Sequence, residues 1–104
     1  MRECSPADAA AALERGDWTL VDVREPEELS LVSIDGAMNV PLSEITERYV
    51  EIPTDRPIAL MCHHGGRSAQ ALAYLATHGI TDTMNVVGGI DRWALTVDES
   101  LNRY

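Results

Sequence analysis

At 104 residues and 11.4 kDa the chain is the size of one domain, enough to bury roughly two-thirds of its unfolded surface without disulfide staples. Its 45% hydrophobic and 24% charged residues mark a globular chain, and no apolar run is long enough to span a membrane. Seventeen acidic residues stand against eight basic ones, all arginine, and the formal charge of −9 has the wrong sign for a nucleic-acid or anionic-membrane binder.

Two cysteines, Cys4 and Cys62, leave no disulfide framework and no CxxC motif, but they leave room for a single functional thiol. Residues 1–12 lack the uninterrupted apolar stretch of a signal peptide, because Asp8 interrupts the alanines, so a cytoplasmic location is expected. No segment repeats and none is linker-like, which predicts a single domain over residues 1–104.

Along the chain, Ser5 as N-cap and Pro6 at the first helical position open a helix that Gly16 stops. Residues 18–23 form a short apolar, β-prone run. It gives way at Arg24-Glu25-Pro26-Glu27-Glu28 to a short helix with acids in its first turn, where the helix dipole favours them. Residues 37–40 are a second brief strand stopped by Pro41, and residues 43–50 predict a helix capped by Ser43. Residues 57–62 are almost wholly apolar, as a strand buried on both faces of a parallel sheet should be. Residues 67–78 then predict a helix with Ala69, Leu72, Ala73 and Ala76 on one face and Gly79 beyond its end. Residues 83–87 are the last strand, and Gly88-Gly89 opens a short helix carrying Ile90 and Trp93. Strands alternating with helices predict an α/β domain with a parallel sheet, whose site lies beyond the carboxyl ends of the strands.

The residues that carry chemistry converge on Cys62-His63-His64-Gly65-Gly66-Arg67-Ser68, a cysteine at the end of the buried strand followed by a tight loop into a helix. Adjacent glycines take φ values closed to other residues, which lets consecutive N–H groups curl toward one point above the thiol. The helix dipole and the Arg67 charge favour a thiolate, which is the nucleophile, and the cradle suits an anionic substrate held against it. Free cysteine is often simply a core residue. A Gly-Gly-Arg turn, however, is a costly choice for packing alone, whereas Cys4 has no such loop and is a bystander. Neighbouring His63 and His64 cannot both turn toward one metal with Cys62, and no second cluster completes a tetrahedral set, so no metal site is expected. One imidazole should line the mouth of the pocket and the other be solvated, while His78 suits the end of its helix.

With these residues in place, the chain resembles the rhodanese family of sulfurtransferases over nearly its whole length. Residues 22–29, 34–42, 62–70 and 88–93 are similar, in order, to the family's first signature, second signature, active-site loop and closing motif. The resemblance implies a three-layer α/β domain with a central parallel sheet of about five strands flanked by helices. It also implies covalent catalysis in which Cys62 takes a sulfane sulfur from thiosulfate or a persulfide donor and passes it from a persulfide to a nucleophilic acceptor. His63, His64, Gly65, Gly66, Arg67 and Ser68 would bind the donor, the amides of residues 63–67 holding the terminal sulfur while Arg67 neutralises the departing sulfite. No metal or organic cofactor is implied. The implied partners are a small anionic donor such as thiosulfate, or a protein donor or acceptor, and neither nucleic acid nor membrane.

Six residues from Cys62 to Arg67, counting both, resemble the sulfurtransferase loop, whereas phosphatases of the same fold carry one more. A sulfur-relay or interaction module with a protein persulfide donor is the alternative, and a phosphatase or arsenate reductase a more distant one. Val32-Ser33 departs from the family's usual Gly-His. Asp22 and Arg24 predict a buried charge network, pairing either Asp22 with Arg67 or Arg24 with a nearby acid.

Overall fold

The computed structural model describes residues 1–104. Its elements are β1 (Glu3–Cys4), α1 (Pro6–Arg15), β2 (Thr19–Asp22), α2 (Pro26–Leu29), β3 (Met38–Asn39), α3 (Ile45–Arg48), β4 (Ile58–Met61), α4 (Gly66–Thr77), β5 (Thr83–Val86) and α5 (Gly89–Thr96). The strands form one sheet in the order β1-β5-β4-β2-β3, every pair parallel. No helix is long and apolar enough to cross a membrane.

β4 lies at the centre and shows why its sequence is apolar throughout. Successive side chains of a strand point to opposite faces, so Ala59 and Met61 enter one core while Ile58, Leu60 and Cys62 enter the other. The first core is closed by α1 and α5, through Ala9, Ile90 and Trp93. The second is closed by α3 and α4, through Ile45, Ala71 and Leu75. The three layers and the five-stranded sheet are those the family resemblance implies.

α1 begins and ends as predicted. The Ser5 hydroxyl accepts from the Asp8 N–H at 3.0 Å, and Gly16 turns left-handed at φ 75° to stop the helix. One element is added and two expectations are corrected. β1 adds an edge strand that two residues are too short to signal, pairing Glu3 with Asn85 and Cys4 with Val86 and burying Cys4.

The helix expected over residues 43–50 is instead a 3-10 turn (Leu42–Glu44), the single turn α3 and a second 3-10 turn (Tyr49–Glu51). Ser43 does not cap it, because its hydroxyl donates to Glu25 Oε1 at 2.7 Å across the chain. On α4 the buried residues are Ser68, Ala71 and Leu75; of the expected face Ala69 and Leu72 are partly covered, while Ala73 and Ala76 are exposed. Alanines occur all round this helix and do not set its rotation. Leu75 and Leu72 turn the same face to the core as Ala71, and Ser68 bonds Asn85 and the Gly65 carbonyl from that face.

Candidate active site

Cys62 follows β4 directly, is 2% exposed, and meets a turn that bends back over its sulfur. Gly65 makes the bend at φ 124°, a conformation L side chains rarely adopt, and α4 starts at Gly66. The Gly65 N–H donates to Cys62 Sγ at 3.0 Å, and Ser68 Oγ lies 3.4 Å from the same atom. Asn85 on β5 ties the turn together. Its Nδ2 donates to the Gly65 carbonyl at 3.0 Å, and its Oδ1 lies 2.6 Å from the Ser68 hydroxyl, whose one proton is shared among Asn85 Oδ1, the Gly65 carbonyl and Cys62 Sγ. Burial pushes the Cys62 thiol up, but the Ser68 hydroxyl and the amides of Ser68, Gly65 and Arg67 outweigh it, so the thiol ionises below its ordinary pKa.

The closing Gly88-Gly89 supports this turn from behind. At the start of α5 the Ile90 N–H donates to the Cys62 carbonyl at 2.9 Å and the Asp91 N–H to the His63 carbonyl at 3.2 Å. A Cβ on Gly89 would stand 2.3 Å from the Cys62 carbonyl oxygen, so only glycine lets the two backbones approach. The α5 N-terminus therefore fixes the carbonyls of residues 62 and 63, which leaves the amides that follow free to face the sulfur.

Of the two pairings the sequence left open, that of Asp22 with Arg67 does not form. Arg24 and Asp22 form a pair closed from water, with Nη2 to Oδ2 at 2.6 Å, and Arg24 also donates to the Val32 and Glu28 carbonyls. Arg24 with a nearby acid is thus the alternative that forms. Arg67 turns instead to Glu28, Nη1 to Oε2 at 2.5 Å and Nη2 to Oε1 at 2.7 Å. The Arg67 side-chain bonds hold the Glu28 carboxyl far down, at about 2, against burial that would raise it.

Tyr104 completes the rim. Its hydroxyl donates to Glu28 Oε1 at 2.7 Å and accepts from Arg24 at 3.1 Å, and its ring stacks on His63 with centroids 4.0 Å apart. His63 is partly buried and also stacks on His64, whose side chain is 68% exposed, so one imidazole lies at the loop and the other in solvent. His63, His64 and Asp91 offer ligand atoms within 4.8 Å of one another. The two rings are stacked at 29°, which runs their in-plane lone pairs side by side, and Asp91 is held by Arg103 at 2.9 and 3.2 Å, so the trio is poorly shaped for an ion.

The profile of the rhodanese-like domain matches residues 5–96. The chain belongs to the rhodanese-like domain family. The uncharacterized protein YqhL of Bacillus subtilis is 43% identical over 74 residues, which are 71% of this chain but only 59% of YqhL. A sulfurtransferase of Allochromatium vinosum is 42% identical over 78 residues, 75% of this chain and 73% of that protein. Among solved structures, a rhodanese-related protein of Thermoplasma volcanium superposes with a TM-score of 0.84 at 35% identity, covering 93% of this chain and 94% of its own.

Of the loop residues singled out in the sequence, Cys62, Gly65, Arg67 and Ser68 gather around the sulfur of this rhodanese-like domain, and His63 and His64 lie at its rim. Gly66 opens α4 with no heavy atom near its missing Cβ. Sequence reasoning missed Asn85, Glu28 and Tyr104. Asn85 had a signal, as the one polar residue in the run Met84-Asn85-Val86-Val87, whereas Glu28 was one acid among several and Tyr104 carried none.

Proposed function

We propose that this rhodanese-like domain is a sulfurtransferase that moves a sulfane sulfur from thiosulfate or a persulfide donor to a nucleophilic acceptor through a Cys62 persulfide. The observation that carries the reading is the Gly65 N–H directed at Cys62 Sγ from 3.0 Å, with the Ser68 hydroxyl beside it. A thiolate held this way is activated without a neighbouring general base. As it attacks the outer sulfur of the donor, negative charge spreads onto the transferred sulfur, next to the Cys62 Sγ that the amides of Gly65, Arg67 and Ser68 already face.

The six-residue loop fits a single sulfur atom better than a phosphate, and the relative from Allochromatium vinosum is named a sulfurtransferase. A reduced, reactive thiol also fits the cytoplasm, where thiols are kept free of disulfides. Treating the protein with thiosulfate or a persulfide and weighing it intact should show a gain of one sulfur atom that Cys62→Ser abolishes. Absence of that adduct with every donor, or Cys62-dependent hydrolysis of an aryl phosphate in its place, overturns the reading.

A further inference from the structure

Both terminal nitrogens of Arg67 are engaged by the two carboxylate oxygens of Glu28. Glu28 is itself held in that position, its Oε2 accepting from the Glu25 N–H at 3.0 Å and its Oε1 from the Tyr104 hydroxyl at 2.7 Å. Arg67 interacts electrostatically with Cys62, yet its charge is matched by the Glu28 carboxylate that it contacts directly. Every other arginine except Arg92 is also paired with a carboxylate. Arg92 packs over Gly88 and borders the hollow beside Cys4, not the loop. The site therefore combines a set of backbone amides with no uncompensated arginine, inside a molecule of net charge −9.

That balance separates the two donor chemistries. Thiosulfate brings two negative charges to the thiolate: Cys62–S⁻ attacks the outer sulfur, a new S–S bond forms, the S–S bond of thiosulfate breaks, and the bonding pair leaves with SO3²⁻. Three negative charges share the site throughout. With a protonated thiol persulfide, Cys62–S⁻ attacks the terminal sulfur of R–S–SH, giving Cys62–S–SH and R–S⁻, and only one negative charge is present at any stage. Amide dipoles suffice for the second reaction, whereas the first calls for a free cation.

We propose that Glu28 is a specificity-determining residue: by engaging Arg67 it withholds that cation from dianionic donors, and the site takes its sulfur from thiol persulfides. This rests on sulfur transfer through Cys62 as read above.

The test measures kcat/KM at low ionic strength with thiosulfate and with an alkyl persulfide that carries no other ionisable group, at a pH low enough to keep part of it as R–S–SH. It uses the wild type, Glu28→Gln and the double variant Glu28→Gln/Arg67→Gln, with loading of Cys62 followed by intact mass. The wild type should load faster from the persulfide than from an equal concentration of thiosulfate. Glu28→Gln should raise the thiosulfate-to-persulfide ratio about tenfold or more, through a lower KM for thiosulfate. The double variant should lose that gain, which a merely structural role for Glu28 would not produce. A wild type that prefers thiosulfate overturns the proposal whether or not the variants fold. So does a folded Glu28→Gln protein whose ratio is unchanged or lower. Loading from neither donor in any protein overturns the sulfurtransferase reading together with it.

Discussion

A thiol surrounded by apolar side chains resists ionisation, and Cys4 behaves that way: burial, followed by the nearby Asp8, pushes it up to about 11. Cys62 is just as buried but titrates in the opposite direction, because the Ser68 hydroxyl and three backbone amides stabilise its anion. The two cysteines should thus separate by pH. Iodoacetamide near pH 8 should alkylate Cys62 and spare Cys4, as peptide mapping would show. Since a lowered pKa means thiolate is present at lower pH, the alkylation rate at Cys62 should rise at a lower pH than for an unperturbed thiol. Ser68→Ala should move that profile upward, slowing alkylation below its midpoint by on the order of tenfold for each unit moved. A profile unmoved by Ser68→Ala would assign the activation to the backbone amides alone.

Secondary-structure elements position the loop from both sides. β4 delivers Cys62 to the carboxyl end of the sheet, α4 supplies the amides, and α5 pins the carbonyls of Cys62 and His63 from behind. Gly89 is where α5 and the loop touch, and its role can be separated from that of an ordinary left-handed glycine. Gly16 has a similar φ of 75° but open space around its missing Cβ. Gly16→Ala should cost about 1–2 kcal/mol, the strain of a left-handed L-residue. Gly89→Ala adds overlap with two backbone carbonyls that no side-chain rotation relieves, and should cost about 3 kcal/mol or more while abolishing Cys62 reactivity. Urea unfolding midpoints of the two variants compare the costs, and equal losses would mean that α5 does not support the loop.

At the scale of the whole molecule, the charge of −9 and the pairing of nearly every arginine make the surface repel small anions. Loading of Cys62 by thiosulfate should accelerate severalfold as salt rises from about 10 mM to about 150 mM, because the Debye length shrinks from about 30 Å to about 8 Å. Loading by a persulfide without other ionisable groups should respond less than loading by the thiosulfate dianion. Stopped-flow rates across an inert-salt series check this, and a thiosulfate rate that falls with salt would reveal a locally attractive site instead.

The sequence by itself determined the alternation of strands and helices and the Cys62 loop. Both are written in contiguous residues: apolar runs, caps such as Ser5 and Gly16, and a glycine pair beside a cysteine specify backbone geometry over a few positions. The rotation of α4 was not legible, since alanines all round the helix mask the Ala71, Leu72 and Leu75 stripe that the core takes up beside the buried Ser68. Only the tertiary structure decided which groups surround the sulfur and what charge they leave there. Asn85 reaches Ser68 from 17 residues away, Glu28 reaches Arg67 across 39, and Tyr104 reaches Glu28 across 76. Those meetings depend on the order β1-β5-β4-β2-β3 and on how the helices cover it, because a side chain's partner is set by where the sheet places it rather than by its neighbours in the chain.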